Sequence, residues 1–209
     1  MLNSKEFDIW ADEYDRTVDD CKVAGEYPFA GYDEVLEEIY QAVQSKEGAR
    51  ILDIGFGTGV LTKRLYDDGY EIYGVDFSEK MIEIAKEKMP EARLLRSDFS
   101  KGLPQELKRI QFDYIISTYA IHHLTDQEKA SFISQLLNSL NDDGIIFIGD
   151  VSFKTREELI ACREENKERW DTEEIYLVLD ELKQSLPTCN MIFMKMSRCA
   201  GIVAIKNLR

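Results

Sequence analysis

From Arg50 onward, short apolar runs alternate with amphipathic stretches, and this alternation constrains the fold more than any other feature of the chain. The runs cover 51–54, 71–75, 92–95, 112–117 and 145–148. Each has the length of a buried strand and is too short for a buried helix. Helical patterns lie between them near 58–67, 78–88 and 125–139. Strands that alternate with helices build βαβ units, whose right-handed crossovers generate a parallel sheet. Two further runs, 191–197 and 201–205, are separated by too few residues for a crossover, so they must pair antiparallel.

Ahead of this body, residues 4–19 place Phe7, Trp10, Ala11 and Tyr14 on one stripe of an otherwise acidic helix. A second helix opens at Gly31, carries Val35, Leu36, Ile39, Tyr40 and Val43 at helical spacing, and stops at Gly48. Thr125 with Glu128, and Thr155 with Glu158, each read as a Thr-x-x-Glu capping box. Acidic helices over about 155–184 should flank the sheet. No repeat, linker or low-complexity stretch interrupts the 209 residues, a length that suits one domain.

Charge narrows the partners. The 26 Lys and Arg against 40 Asp and Glu leave −14, which repels phosphate backbones and anionic membrane surfaces. No apolar run approaches the roughly 18 residues of a membrane span, and the N-terminus has no apolar leader core. A cytoplasmic protein is expected. Cys21, Cys162, Cys189 and Cys199 form no C-x-x-C pair, and are read as reduced, mostly buried thiols.

The turn after the first strand is Asp53-Ile-Gly55-Phe-Gly57-Thr-Gly59-Val60. Glycines there let the backbone turn tightly and approach a ligand at a helix N-terminus. The dinucleotide fingerprint G-x-G-x-x-G/A would place Gly or Ala where Val60 stands, and no G-K-[ST] follows, so a nicotinamide site and a P-loop are both disfavoured. Asp76 ends the second strand and Asp98 the third, which puts an acid at three successive strand ends, where an open α/β sheet binds its ligand.

The G-x-G-x-G turn after Asp53, the two later acids and the segment Phe112-Asp-Tyr-Ile-Ile-Ser-Thr-Tyr-Ala-Ile-His-His-Leu124 together resemble the class I S-adenosylmethionine-dependent methyltransferases. With Trp10–Asp15, Gly31-Tyr32 and Gly149–Phe153 the likeness runs nearly end to end. It is nearest to a poorly characterised set of bacterial small-molecule enzymes associated with sulfur amino-acid salvage. The resemblance implies a doubly wound, mostly parallel seven-stranded Rossmann-like sheet in the order 3-2-1-4-5-7-6, ending in an antiparallel hairpin. Within a single domain over 1–209 it implies an N-terminal helical lid and first helix over 1–48, a cofactor-binding half over 50–150, and acidic helices with the terminal hairpin over 151–209.

It further implies that S-adenosylmethionine is bound by Asp53, Gly55, Gly57, Gly59, Asp76, Phe77, Met81, Asp98, Phe99 and Thr118, and is converted to S-adenosylhomocysteine. Asp76 would accept from the ribose hydroxyls, Asp98 from the adenine amino group, and Met81 would pack on the adenine. Tyr14, from the lid, would reach the methionine carboxylate or the substrate, with Tyr32 and Tyr119 as weaker candidates of the same kind. His122, more than His123, would serve as general base or orient the acceptor. No metal is expected, because neighbouring side chains diverge, no third ligand is evident beside the histidines, and Asp150 lacks a set of oxygen ligands around it.

The methyl acceptor is expected to be a small molecule and the protein a monomer or homodimer. Amino-base methylation would call for an N/D-P-P-Y-like segment where Ser117-Thr-Tyr-Ala120 stands. Cytosine carbon methylation would need a Pro-Cys nucleophile, whereas Phe29, Glu91, Gln105 and Thr188 follow the four prolines. Two alternatives stay open: a non-catalytic module that holds S-adenosylmethionine or S-adenosylhomocysteine, and a tRNA-modifying methyltransferase of other chemistry.

Overall fold

The computed structural model describes residues 26–208. The N-terminal stripe, with Trp10, Tyr14 and the expected lid, lies outside the described residues.

Seven long strands form the sheet: β1 (Arg50–Ile54), β2 (Glu71–Asp76), β3 (Arg93–Arg96), β4 (Phe112–Thr118), β5 (Leu140–Phe153), β7 (Cys189–Lys195) and β8 (Ala200–Asn207). A two-residue strand, β6 (Leu177–Val178), pairs with the end of β5 at Ser152 and Phe153. The order is β3-β2-β1-β4-β5-β8-β7. With β6 set aside this is the expected 3-2-1-4-5-7-6. The first five strands are parallel, and β8 runs antiparallel to both β5 and β7.

Helices α1 (Tyr32–Val43), α2 (Val60–Asp67), α3 (Glu79–Lys88), α4 (Asp126–Leu137), α5 (Arg156–Glu165) and α6 (Leu179–Ser185) flank the strands. The central strands β1, β2 and β4 are buried on both faces, which is why they read as unbroken apolar runs rather than alternating ones, whereas the edge strands β3 and β7 are partly exposed. Successive residues serve opposite layers. Ile51, Ile116, Phe147 and Ile202 pack in one cluster with Val35, Ile39 and Leu65, whereas Leu52, Ile115, Ile148 and Val203 join Phe132, Ile133 and Leu136 in the other. Helix α1 approaches β5 closely because Gly149 has no side chain: a Cβ there would stand 2.4 Å from Val35 Cγ1.

Three local expectations change. Strand β5 begins at Leu140 rather than at 145, since Leu140 pairs with Phe112 ahead of the apolar run. The acidic stretch over 155–184 is not continuous helix: α5 stops at Glu165, and Trp170 and Tyr176 leave the helical path to pack on Tyr27. Thr125 and Glu128 form a full capping box, but at α5 only Thr155 caps, because the Glu158 carboxylate is taken by the Lys154 amide and by Lys195. Cys162 and Cys199 are buried free thiols and Cys189 is half-buried. Among the described residues no helix is long and apolar enough to cross a membrane.

Candidate functional site

Strand β1 has β2 on one side and β4 on the other, so the chain leaves it in opposite directions at this point and a crevice opens beyond the strand ends. The glycine turn fills the floor of that crevice. Gly55 (φ 71°) donates its amide to Val75 O at 2.8 Å, in a left-handed conformation that disfavours a side chain. A Cβ there would also lie 2.4 Å from the Ala120 Cβ. At Gly57 a Cβ would meet nothing within 4 Å, so this backbone faces open space. Gly59 caps α2 without a side-chain bond, leaving the first-turn amides of the helix directed at the crevice.

The acids do different work. Asp76 Oδ2 accepts the Gly57 amide at 2.9 Å and its Oδ1 accepts the Ser78 amide at 2.9 Å, so one carboxylate ties the glycine turn to the start of α3. Asp53 is 1% exposed; Thr62 Oγ1 donates to its Oδ2 at 2.6 Å, and Oδ1 has no hydrogen-bond partner among the described residues. Burial pushes its carboxyl up to about 7; the Thr62 bond opposes the rise and the charge of Asp76 adds to it. Asp98 caps the turn Phe99–Lys101 through the Ser100 amide at 3.1 Å and hydroxyl at 2.6 Å, and pairs with Lys101 at 2.9 Å.

The crevice is a concave site that opens to solvent at its mouth. Asp53, Gly55, Gly57, Asp76, Phe77, Met81, Phe99 and Thr118 all line it, together with Phe56, Thr62, Tyr32, Tyr119 and His123. Gly59 and Asp98 stand outside the wall. Tyr119 has φ 50°, unusual for a residue with a side chain, and is held there by its amide on Gly149 O at 2.8 Å and by the Tyr32 ring at 4.8 Å.

His122 and His123 part company. His123 lines the crevice, and burial together with the neighbouring imidazole pushes its pKa down to about 3. His122 does not line it. Its Nδ1 lies 2.7 Å from Asp150 Oδ1 and its Nε2 3.4 Å from Glu174 Oε1. Burial pulls its pKa down, but these two carboxylates outweigh that and raise it above the ordinary histidine value. The rings do not diverge, their centroids being 4.3 Å apart, and Glu174 supplies the third ligand-type group that the sequence did not reveal. It arrives because Ile175 N–H donates to His122 O at 2.9 Å, a contact between segments about fifty residues apart with no local signature.

The model of the methyltransferase domain family matches residues 51–144. An uncharacterised methyltransferase of Oceanobacillus iheyensis is 38% identical over 151 residues, 72% of this chain and 68% of that protein. One from Alkaliphilus oremlandii is 34% identical over 177 residues, 85% of this chain and 78% of its own length. Among solved structures, the DhpI complex with S-adenosylhomocysteine superposes with a TM-score of 0.71 at 15% identity, covering 98% of this chain and 94% of that one. Magnesium protoporphyrin IX methyltransferase of Synechocystis with bound S-adenosylhomocysteine gives 0.66 at 18% identity, covering 95% and 99%. On this fold, this crevice and these relatives, the chain belongs to the class I S-adenosylmethionine-dependent methyltransferases.

Proposed function

We propose that the protein passes the methyl group of S-adenosylmethionine directly to a small-molecule nucleophile. The observation that carries this reading is the crevice itself, whose wall from Thr118 to Ala120 and His123 faces the Asp53–Thr62 floor and is backed by the Tyr32, Tyr119 and Phe29 rings. A concave site at the strand ends suits a small ligand, and the −14 net charge disfavours nucleic acid.

The residues present fit the cofactor. The unpaired buried Oδ1 of Asp53 is an acceptor that an ammonium group would satisfy. Asp76 stands on the crevice lining at the end of β2, where a carboxylate would accept from the ribose hydroxyls, and Phe77, Met81 and Phe99 offer apolar surface for the base. Asp98 would accept from the adenine amino group on an oxygen that now meets Ser100 or Lys101, and Thr118 closes the β4 side. When bound, the cofactor supplies an electrophilic methyl on a sulfonium, and S-adenosylhomocysteine leaves.

The chain's part is then placement and the exclusion of water. His123, uncharged at neutral pH, meets the acceptor from the wall and orients it by a hydrogen bond. His122 is a positioning residue that acts through its neighbour, fixed between Asp150 and Glu174. Tyr14 keeps its proposed role at the methionine carboxylate or the acceptor. A place in sulfur amino-acid salvage, in the cytoplasm, follows from the resemblance.

A screen of thiols, amines, phenols, carboxylates and unmodified tRNA for S-adenosylhomocysteine release tests the reading. Release with one small-molecule class supports it. Release only with tRNA, or tight cofactor binding with no release from any class, overturns it in favour of an RNA-modifying or purely cofactor-holding protein.

A further inference from the structure

The three side chains that gather behind the crevice wall have the composition of a metal centre. A ring nitrogen of His122, one of His123 and a carboxylate oxygen of Glu174 lie within 4.8 Å of one another. We propose that His122, His123 and Glu174 bind a divalent transition metal of the zinc class, beside the methyl-transfer crevice and on the far side of the His123 ring. This assignment does not depend on which acceptor is methylated.

Two imidazoles and a carboxylate are the ligand types that zinc accepts. Bonds of about 2.0–2.2 Å in a tetrahedron put the ligand atoms roughly 3.3–3.6 Å apart. The 3.4 Å between His122 Nε2 and Glu174 Oε1 already has that value. The other separations are within 4.8 Å, and a side-chain rotation of His123 would bring its ring nitrogen to the same spacing.

The supporting groups are built as they are around metal ligands. His122 Nδ1 meets Asp150 Oδ1 at 2.7 Å, the carboxylate–histidine arrangement that fixes the ring and turns Nε2 toward the ion. Asp150 is itself held, by the Val151 amide at 2.7 Å and the His122 amide at 3.3 Å. The second oxygen of Glu174 accepts from the Tyr176 hydroxyl at 2.6 Å, and that hydroxyl meets Tyr27. The Ile175 amide on His122 O, 2.9 Å, locks the Glu174 segment to the histidines. Asp150 and Glu174 bring two negative charges to two imidazoles, a balance that a dication completes. Three protein ligands leave a position for water or an acceptor heteroatom.

The rival arrangement is a protonated His122 bridging Asp150 and Glu174 with no ion. Titrating the chelator-treated full-length protein with Co²⁺, read by its visible d–d bands, and with Zn²⁺ in competition, separates the two. The expected result is one equivalent bound with a Kd of about 1 µM or tighter, and the Co²⁺ band intensity of a four- or five-coordinate ion. Glu174→Gln keeps the size and the Tyr176 bond but loses the charge, and should weaken binding at least roughly tenfold, as should His123→Asn and, through the supporting hydroxyl, Tyr176→Phe. Circular dichroism and S-adenosylmethionine affinity report that each variant is folded. Absence of stoichiometric binding, or binding unchanged in both folded Glu174→Gln and folded His123→Asn, overturns the site.

Discussion

Thr62 holds the Asp53 carboxylate by one 2.6 Å hydrogen bond to Oδ2, reaching back from the first turn of α2 to the end of β1, and leaves Oδ1 bare in the interior. Burial with a single donor disfavours the charged form, so the carboxyl keeps its proton well above the ordinary carboxylate range, up to about 7.

The pH dependence follows with a definite sign. Because the folded value, about 7, lies above the ordinary 3.8, the folded state keeps a proton that the unfolded chain loses. The stability contributed by Asp53 is therefore full below pH 4, falls as pH rises toward 7, and is constant above it. Asp53→Asn removes that loss, so the variant without cofactor should be more stable than the parent at pH 8, by up to about 4 kcal/mol from a shift of about three units, and little different near pH 4. Urea denaturation at the two pH values measures this.

Cofactor binding runs the other way. An ammonium partner needs the ionised carboxylate, so affinity for S-adenosylmethionine should rise about tenfold per unit below pH 7 and level off above it. Calorimetry in buffers of different ionisation enthalpy should detect proton release at pH 6 and little at pH 8.5. A flat profile would mean that Asp53 does not meet the ammonium group.

Asp76→Ala removes an acceptor and also orphans the Gly57 and Ser78 amides. The expected cost to S-adenosylmethionine affinity is about 1.5–3 kcal/mol, with NAD binding weak in both proteins because Val60 stands where that fingerprint needs Gly or Ala. Unchanged affinity in folded Asp76→Ala would remove the residue from the nucleoside site.

Gly149→Ala forces a Cβ to 2.4 Å from Val35 Cγ1 and 2.9 Å from Ile39 Cδ1 without any unusual backbone demand. Overpacking of this kind should cost about 1–3 kcal/mol. In a double-mutant cycle Val35→Ala should recover part of it, and strict additivity would show that helix α1 shifts away instead.

His123→Asn and His122→Asn should fail in different ways. The first loses the imidazole on the crevice wall, and turnover should drop by roughly 10–10²-fold with cofactor affinity retained. The second faces the Asp150 and Glu174 carboxylates toward each other without the imidazole between them, and should lower the melting temperature as well as the rate. Single-turnover rates beside thermal melts distinguish the two.

What the sequence determined by itself is the part written in local pattern. Runs such as 51–54 and 112–117 could bury both faces only as central parallel strands, the Gly55–Gly59 turn with Val60 after it excluded the dinucleotide fingerprint, and the 191–205 hairpin had to be antiparallel. Asp53 and Asp76 were readable because strand ends in such a sheet converge on the crevice. What only the tertiary structure decided depends on contacts between distant segments. It turned His122 away from the crevice and onto Asp150, gave the wall to His123, and brought Glu174 to both through one backbone hydrogen bond. It also divided the acidic stretch after α5, where the partly buried Trp170 and the buried Tyr176 pack on the Tyr27 ring. Two adjacent histidines share one sequence signal, and the direction in which each ring points is set by what packs around it, which no spacing along the chain encodes.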